Sequence, residues 1–493
     1  MIDKKRVPLI KGLELYAKEK NTLFHMPGHK QMEALEEIQY LKEHLLHLDV
    51  TEVPGTDNMH YPEGVIMESL ELLSEAMGSK KSYYLVNGST SGNYAMIMGL
   101  FNKGDSVIIQ RNCHQSVYNA IGLSGIQPVF VQPSLLPRFH IPSCVTLEAI
   151  RKAFESHPHV KGIVLTSPSY FGIMPDLKRI ALFCREKGLL LVVDEAHGAH
   201  LGFSKRLPGT ALSQGAHAST CSFHKTLTSF TQSAVLNLGE GLTSEEIGRV
   251  EYYLRVFQSS SPSYILMASL EMARYLMETR GEALLSDLLE NIDELKESLK
   301  DLTDIRFLTD SDLEEGQMDP TRVTLSTPLD GTDLSGILRK DFHIQVEMTE
   351  GDCLVFLISI MNSREDFLHL ATSLKDIFGK TSLITSTHEA SGESSSPMSP
   401  LPEPITLFSE RETLFMGCEE VRLEDAAGRV SRERITPYPP GVPILLPGEV
   451  ISVELIAYLK DLNGRDTVVL RSGSQDRDKV LVLKQDIVED RAT

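Results

Sequence analysis

The chain has 493 residues, of which 41% are hydrophobic and 24% are charged, a composition typical of a globular protein with two or three domains. Its formal net charge of −20 excludes a broad nucleic-acid surface, because phosphate binding needs clustered basic residues. The basic first eight residues lack the apolar core of a signal peptide, and no apolar run reaches membrane-spanning length. We therefore expect a cytoplasmic protein without a nucleic-acid or membrane partner.

The amino-terminal segment predicts a helix followed by an arm. Leucines and a tyrosine recur at helical spacing over 8–20, and the sequence HMPGHK at 25–30 interrupts them. Two histidines and a lysine lie close together there, but the Pro-Gly turn gives them no shared helical face for a metal. We predict that residues 1–30 form a helix and an arm whose loop contacts a ligand-binding crevice.

The segment that follows a predicted strand at 80–86 has the composition of an anion-binding loop. It reads NGSTSG at 87–92 and precedes a predicted helix over 93–100. Small residues let the backbone approach an anion, hydroxyl groups donate hydrogen bonds, and the helix amino terminus contributes free N–H groups. An ordinary capped turn is the alternative interpretation.

Alternating strands and helices predict an α/β domain over 31–262. Further strands are predicted at 106–109, 162–166, 189–193 and 218–223. The alternation indicates a mostly parallel sheet covered by helices, whose strands share one carboxyl edge where such proteins bind ligands. Polar residues at the ends of these strands or just after them are His114, Asp194, His197, Ser222, His224 and Lys225.

Lys225 and Asp194 together suit pyridoxal 5'-phosphate. The cofactor needs an amine for a Schiff base and a carboxylate that keeps its pyridine nitrogen protonated. Each residue alone has a simpler interpretation, a surface lysine and a helix-capping aspartate. His114 can lay its ring against a planar cofactor, or it can be an ordinary buried histidine. The placement of Lys225 and Asp194 at one sheet edge favours the cofactor, whereas His114 considered alone is better explained as an ordinary buried histidine.

The second half of the chain predicts a smaller domain. A helical pattern with leucine and methionine stripes covers 264–299, and short strands are predicted at 322–325 and 354–359. These elements indicate an α+β domain over 263–380.

A change in composition follows. Residues 381–405 are rich in serine and proline and predict a disordered linker, and 406–493 predict a compact carboxy-terminal domain. Six scattered cysteines lack metal-type spacing, so we expect buried reduced thiols, no disulfide framework and no zinc site. They are Cys113, Cys144, Cys184, Cys221, Cys353 and Cys418.

An ordered set of motifs resembles the pyridoxal-phosphate-dependent ornithine/lysine/arginine decarboxylase family, which has fold type I. The similarity spans roughly residues 8–460. Its motifs are FHMPGHK at 24–30, DVTEV at 49–53, NGSTSG at 87–92, RNCH at 111–114, DEAHGAH at 194–200, SFHK at 222–225, SPSYILMASL at 261–270 and YPPGVPILLPGE at 438–449.

The resemblance assigns roles to individual residues. It implies that Lys225 bonds the cofactor and donates the final proton, that Asp194 contacts the ring nitrogen and that His114 stacks on the ring. His197 would contact the cofactor's phenolic side or the substrate carboxylate, and His197 or His224 could share the proton transfer. The phosphate would be held by Ser89, Thr90 and Ser91, with contributions from Ser222 and His224.

The resemblance also implies a reaction, decarboxylation of a basic amino acid to an amine and carbon dioxide that feeds polyamine synthesis. We expect arginine or lysine before ornithine. Carboxylates in suitable segments include Asp57, Glu63 and Glu449, although Glu449 could instead be a surface residue that caps the helix after residue 450. From the chain length we expect a short form without the amino-terminal wing domain of long family members, and hence a homodimer or higher homo-oligomer with shared active sites rather than a large decamer.

Two other classes of protein share these features. Another fold-type-I enzyme, an aminotransferase or a carbon–sulfur lyase, would also need Lys225 and Asp194. Aminotransferases generally clamp the substrate carboxylate with an arginine, for which Arg364 is the nearest candidate, in a polar loop without a clear match. A catalytically silent regulator on the same fold is the second class, which the intact cofactor motifs disfavour.

Overall fold

A computed structural model describes residues 7–31, 35–379, 404–438, 441–463 and 468–486. The predicted linker, apart from its last two residues, lies outside the described residues. Within the described ranges, every helix is too short or too polar to span a lipid bilayer. The same ranges contain no cluster of three or more metal-ligating side chains.

The helices of the described residues are α1 (Pro8–Lys18), α2 (Glu36–Leu48), α3 (Val65–Ala76), α4 (Gly88–Leu100), α5 (Gln115–Ser124), α6 (Leu147–Ser156), α7 (Leu177–Lys187), α8 (Phe223–Thr226), α9 (Ser244–Phe257), α10 (Tyr264–Leu299), α11 (Gly331–Phe342), α12 (Arg364–Phe378), α13 (Glu410–Thr413) and α14 (Val453–Asn463).

The strands are β1 (Thr22–Phe24), β2 (Lys81–Leu85), β3 (Ser106–Gln110), β4 (Gln127–Val131), β5 (Leu135–Leu136), β6 (Ile141–Pro142), β7 (Gly162–Thr166), β8 (Ile173–Met174), β9 (Leu190–Asp194), β10 (Ala218–Cys221), β11 (Ala234–Leu238), β12 (Arg306–Phe307), β13 (Gln317–Met318), β14 (Arg322–Ser326), β15 (Ile344–Val346), β16 (Met348–Glu350), β17 (Cys353–Leu357), β18 (Cys418–Arg422), β19 (Ile435–Tyr438), β20 (Val468–Arg471) and β21 (Lys479–Leu483).

A seven-stranded sheet with the order β2-β11-β10-β9-β7-β3-β4 forms the centre of the molecule. All its strands run parallel except β11, which pairs antiparallel with both β10 and β2. The predicted strands are therefore confirmed, and so is the mostly parallel sheet. The carboxyl ends of β3, β7, β9 and β10 lie side by side, so the residues that follow them meet at one edge.

Helices cover both faces of this sheet because its strands are apolar on both sides. On β3, Val107 and Ile109 pack into one cluster with α4, α5 and α9, whereas Ile108 packs into another with α6 and α7. Helix α4 lies close to the sheet because Gly92 has no side chain, and a Cβ there would be 2.4 Å from Thr220 Oγ1. This close packing fixes the position of the first turn of α4 relative to the edge of the sheet.

A four-stranded antiparallel sheet, β12-β14-β17-β16, forms the smaller α+β part with α10, α11 and α12. The predicted long helix is confirmed as α10. The predicted amino-terminal helix is confirmed as α1, and the arm after it adds β1 in parallel to β15. Phe24 of β1 packs edge-on against Phe356 and Phe367. The arm is thereby fixed to the smaller part of the chain.

The carboxy-terminal residues have their own apolar core between α14 and the strand pairs β18-β21 and β19-β20. Arg434 attaches this unit to α5 of the large domain, since its guanidinium donates to Asn119 Oδ1 at 2.5 Å while also bonding Glu410 of the carboxy-terminal residues at 2.6 Å. The predicted domain boundaries at residues 30, 262, 380 and 405 stay predictions.

Two local predictions are wrong. Helix α4 begins at Gly88 rather than at residue 93, because the small polar residues of NGSTSG form its first turn. Strand β10 ends at Cys221, and Phe223 begins the short helix α8 that carries Lys225. All six cysteines are free, five of them buried, while Cys418 is half-buried.

Candidate active site

A cavity of about 900 Å³ opens at the carboxyl edge of the central sheet. The loop at 25–30 contributes Met26 and Pro27 to its wall, which confirms that this loop contacts the crevice. Residues between 442 and 458 form another part of the wall. The predicted site residues that line the cavity are Ser89, Thr90, His114, Asp194, His197, His224, Lys225 and Glu449.

Lys225 and Asp194 lie on neighbouring strand ends. Asp194 is the last residue of β9 and is buried, and its carboxylate accepts hydrogen bonds from Asn93 Nδ2 at 2.9 Å and from the Ala196 N–H at 3.2 Å. Lys225 follows β10 on α8, and its Nζ lies 3.1 Å from His197 Nε2. Burial of the amine in the cavity lowers the pKa of Lys225 below its usual value. A lysine with a lowered pKa is a better nucleophile at neutral pH.

His114 is tied to Asp194 through two intervening side chains. It is the N-cap of α5, and its Nδ1 accepts the Ser116 N–H at 3.2 Å. Asn93 Nδ2 donates to Ser116 Oγ at 2.8 Å as well as to Asp194. Burial lowers the pKa of His114 to about 4, so its ring is neutral at neutral pH. The network holds a carboxylate and a neutral flat ring in fixed relative positions.

The first turn of α4 faces the same cavity. Gly88 adopts a left-handed conformation with φ of 74°, and Ser89 and Thr90 line the wall beside the helix amino terminus. Ser91 is buried instead, and its Oγ donates to the Gly88 carbonyl at 2.8 Å. Ser222 is fully buried, and its Oγ has no hydrogen-bond partner among the described residues. The helix amino terminus and the hydroxyls of Ser89 and Thr90 make a cradle suited to an anion, whereas Ser91 and Ser222 do not line the cavity.

The loop that carries Lys225 is held by the amino-terminal arm. The Gly28 N–H donates to the His224 carbonyl at 2.7 Å, and a Cβ at Gly28 would lie 2.1 Å from the Leu227 oxygen. His224 Nδ1 lies 2.8 Å from the Ser233 carbonyl, which fixes the ring. Burial lowers the pKa of His224 to about 4. His224 is thus a neutral residue of the cavity wall, next to the lysine.

Glu449 lines the cavity but already has a cationic partner. Its side chain is 2% exposed, and its two oxygens lie 3.2 and 3.3 Å from Arg111 NH2. It also accepts the Leu446 N–H at 2.8 Å. The interpretation of Glu449 as a surface helix cap is therefore wrong, because the carboxylate is buried and α14 begins only at Val453. Its contact with a substrate stays a prediction.

Several residues differ from the sequence-based expectation. Asp57 and Glu63 do not line the cavity, and Asp57 instead accepts backbone N–H groups from its own loop. Arg364 is 62% exposed in its side chain and pairs with Glu294, away from the cavity. Asn93 was missed because a single asparagine in a helical stretch gives no signal until the strand ends are brought together.

Arg322 was also missed by sequence reasoning. It begins β14, is buried, and places NH2 3.2 Å from His197 Nδ1. The run DPTRVTLS at 319–326 marks it only as a basic residue at the start of an apolar strand. A basic residue at the start of an otherwise apolar strand was the only available signal.

The comparisons with known proteins agree with this geometry. The Orn/Lys/Arg decarboxylase major domain matches residues 7–314, and the Orn/Lys/Arg decarboxylase C-terminal domain matches residues 405–467. The chain is 36% identical over 466 residues to the uncharacterized protein YaaO of Bacillus subtilis (strain 168), covering 94% of this chain and 95% of the relative. It is 33% identical over 462 residues to the arginine decarboxylase of the same organism, covering 92% of each chain.

A solved structure shares the architecture. The constitutive lysine decarboxylase of E. coli superimposes with a TM-score of 0.75 at 21% identity, covering 97% of this chain and 82% of that chain. The fold is therefore that of the fold-type-I enzymes, as predicted. The chain belongs to the Orn/Lys/Arg decarboxylase family. It is accordingly an amino-acid decarboxylase, and its family implies pyridoxal phosphate as the cofactor.

Proposed function

We propose that this protein decarboxylates a basic amino acid, arginine or lysine before ornithine, and that Lys225 is its cofactor-bonding residue. The observation that carries the proposal is the placement of Lys225, Asp194 and His114 at three strand ends around one cavity. An amine, a buried carboxylate and a neutral flat ring are the three groups that pyridoxal phosphate needs. The cradle at the start of α4 supplies a fourth, a place for its phosphate.

The predicted cofactor-binding residues each have a place in this assignment. When bound, the cofactor supplies an electron sink for the pair left by departing carbon dioxide. Asp194 would keep the ring nitrogen protonated, and His114 would hold the ring plane. Ser89 and Thr90 would bind the phosphate, with Ser91, Ser222 and His224 as the further predicted contacts.

Proton transfer is assigned to the lysine end of the cavity. Lys225 would return the proton to the product, and His197, 3.1 Å from its Nζ, would exchange that proton. His224 is the alternative donor that the sequence predicted, but its Nδ1 contact with the Ser233 carbonyl leaves only Nε2 free for that role. Burial of Lys225 lowers its pKa and so favours a neutral amine at this end.

The substrate assignment rests on charge and on the relatives. Carboxylates of Glu350 and Glu454 line the cavity, so a cationic side chain finds complementary charge there, whereas the Glu449 carboxylate is already paired with Arg111. The Bacillus subtilis relative named arginine decarboxylase matches over nearly the whole chain, which supports arginine as one of the two substrates proposed. A guanidinium would gain most from a carboxylate that accepts two hydrogen bonds.

Assembly and location complete the proposal. We infer a cytoplasmic homodimer or higher homo-oligomer, in which the segment at 258–264 contributes to the neighbouring phosphate site. The product amine would feed polyamine synthesis. Sedimentation of the purified protein gives the oligomeric state, and a monomer that retains full activity would contradict the shared active site.

The decisive experiment offers arginine, lysine and ornithine separately to purified, cofactor-loaded protein and measures carbon dioxide and product amine. One dominant amine with equimolar carbon dioxide supports the proposal and names the substrate. A keto acid without carbon dioxide would indicate an aminotransferase. No product from any of the three, despite bound cofactor, would indicate another reaction or a silent regulator.

A further inference from the structure

His197 joins two basic side chains from different parts of the chain. Its Nε2 lies 3.1 Å from Lys225 Nζ, and its Nδ1 lies 3.2 Å from Arg322 NH2. Lys225 belongs to the large sheet, whereas Arg322 begins β14 of the smaller part and is 3% exposed. The ring of Tyr170 packs against the imidazole, with centroids 4.7 Å apart. Lys225, His197 and Arg322 thus form a continuous chain of hydrogen bonds.

The direction of this chain follows from which atoms can donate. A guanidinium has five N–H donors and no acceptor, so Arg322 must donate to His197 Nδ1. Nδ1 therefore carries a lone pair, and the proton of the neutral ring lies on Nε2. The Nε2–H then faces Lys225 Nζ, which can accept it only as a neutral amine, since an ammonium group has no lone pair.

We propose that Arg322 is a positioning residue that holds His197 in its Nε2–H form and thereby keeps Lys225 as a neutral amine, ready to attack the cofactor aldehyde. In that attack the Nζ lone pair forms the bond to carbon, the amine loses its protons, and the carbonyl oxygen leaves as water. The inference rests on the proposed function, because Lys225 is assigned there as the residue that bonds the cofactor.

The position of Arg322 is built into the fold. Gly172 has a φ of 88°, and a Cβ there would lie 2.5 Å from Arg322 Cβ, so only glycine leaves room for the arginine. The Arg322 N–H donates to the Asp319 carbonyl at 3.0 Å, and the Asp319 N–H donates to the Gly172 carbonyl at 2.7 Å. The backbone thus directs the guanidinium to His197.

Arg322 forms no direct ion pair with a carboxylate of the described residues. The Asp319 carboxylate bonds His200 and Thr321 instead, and burial raises its pKa while His200 and, through space, Arg322 lower it. The NH1 atom of Arg322 has no hydrogen-bond partner in the described part of the chain. A buried arginine in this state is costly, which indicates a role beyond packing.

The surroundings of Lys225 lower its pKa, which agrees with a neutral amine. Burial is the largest influence that lowers the pKa of Lys225, and Arg322 lowers it further, while Asp194 and Glu347 oppose both. Burial, followed by Lys225, Arg322, His114 and His224, holds the pKa of His197 well below its usual value. A neutral ring between a cation and a neutral amine agrees with the donor pattern.

Replacement of Arg322 by methionine removes the donor that fixes the ring. His197 can then carry its proton on Nδ1 and accept from a Lys225 ammonium group, so the charged form gains a hydrogen bond. A group that stabilises the charged form of a lysine raises its pKa, so less neutral amine remains at neutral pH. We expect the midpoint of the pH profile for cofactor capture to rise by about one pH unit or more in Arg322→Met.

The experiment measures capture of pyridoxal phosphate by cofactor-free full-length protein over a series of pH values. Borohydride reduction stops the reaction, and peptide mass spectrometry reports the label on Lys225. Arg322→Lys retains a cation that only donates, so its midpoint should stay near that of the native protein. Circular dichroism confirms that each variant is folded.

A second pair of variants tests whether the effect passes through His197. In a His197→Phe background, the further change Arg322→Met should move the midpoint much less than it does in the native background. An unchanged midpoint in Arg322→Met overturns the inference. Equal shifts in Arg322→Met and Arg322→Lys also overturn it, as does an Arg322→Met shift that is equally large in the native and His197→Phe backgrounds. Absence of label on Lys225 in the native protein would instead refute the proposed function, and the inference with it.

Discussion

Two parts of the cavity lining differ in composition: one consists of hydrogen-bonded polar residues and the other is largely apolar. On the strand-end side, which we call the floor, Lys225, Asp194 and His114 each bond a neighbouring side chain. The C-terminal wall, the cavity-lining residues of 442–458, is largely apolar, and its buried Glu449 is tied back to Arg111. The floor therefore holds the groups suited to the reaction, and the wall shapes the space above them.

The sharpest test of the floor is Lys225→Ala. Without this amine no covalent bond to the cofactor can form at the site, so we expect complete loss of borohydride-trapped label and of turnover. Lys30 is the competing amine, because burial lowers its pKa to about 7. Its Nζ, however, donates to the His25 and Leu357 carbonyls at 2.5 and 2.9 Å. Label found on Lys30 in the native protein would contradict the assignment of Lys225.

Asp194→Asn removes the charge that stabilises a protonated ring nitrogen. We expect bound cofactor but a rate lower by about a hundredfold or more, the range for the loss of one electrostatic partner of a reacting centre. Steady-state kinetics and cofactor content measure the two effects separately. Glu195→Gln is the matched control, since this adjacent buried carboxylate points away from the cavity, to the Ala211 N–H. A near-normal rate in Asp194→Asn would remove Asp194 from the mechanism.

The floor was predictable because each of its groups follows a strand that the apolar pattern marks. Strands β9 and β10 were predicted within one or two residues, and Asp194 and Lys225 follow directly from them. The cradle was predicted as a loop, and the sequence could not show that small polar residues continue as the first turn of α4. Helix starts are weakly encoded where no side chain caps them, as at Asn87.

The contacts that fix these groups were not predictable. Asn93 and Arg322 lie within a helix and a strand, and their partners are about 100 residues away in sequence. The role of Glu449 was left open for the same reason, because nothing local indicates that Arg111, over 300 residues earlier, neutralises it. Such long-range pairs depend on how the elements assemble rather than on local pattern.

Arg111→Met tests how the wall is attached. Arg111 bonds the Pro443 carbonyl at 2.9 Å as well as Glu449, so its loss leaves a buried carboxylate without its partner. Burial already raises the pKa of Glu449 above its usual value, against the opposing effect of Arg111. We expect the free energy of unfolding to fall by about 3–5 kcal/mol, measured by urea denaturation.

A matched pair of variants separates charge from packing at the wall. Arg111→Met combined with Glu449→Gln leaves no unpaired charge, so it should recover part of the stability lost in the single variant. If the single and double variants are equally unstable, packing around Arg111 rather than the ion pair holds the wall in place.

The smallest expected effect concerns substrate binding by the wall. Glu454 of α14 is an exposed carboxylate that lines the cavity, so it can attract a cationic side chain through solvent. We expect Glu454→Gln to raise KM for the preferred substrate by about two- to fivefold, the size of an exposed charge pair, with kcat unchanged. Asp461→Asn on the same helix, away from the cavity lining, is the control for a general loss of negative charge. A fall in kcat with unchanged KM would mean that Glu454 of the wall stabilises the transition state. The wall would then take part in the reaction, and its functional separation from the floor would be wrong.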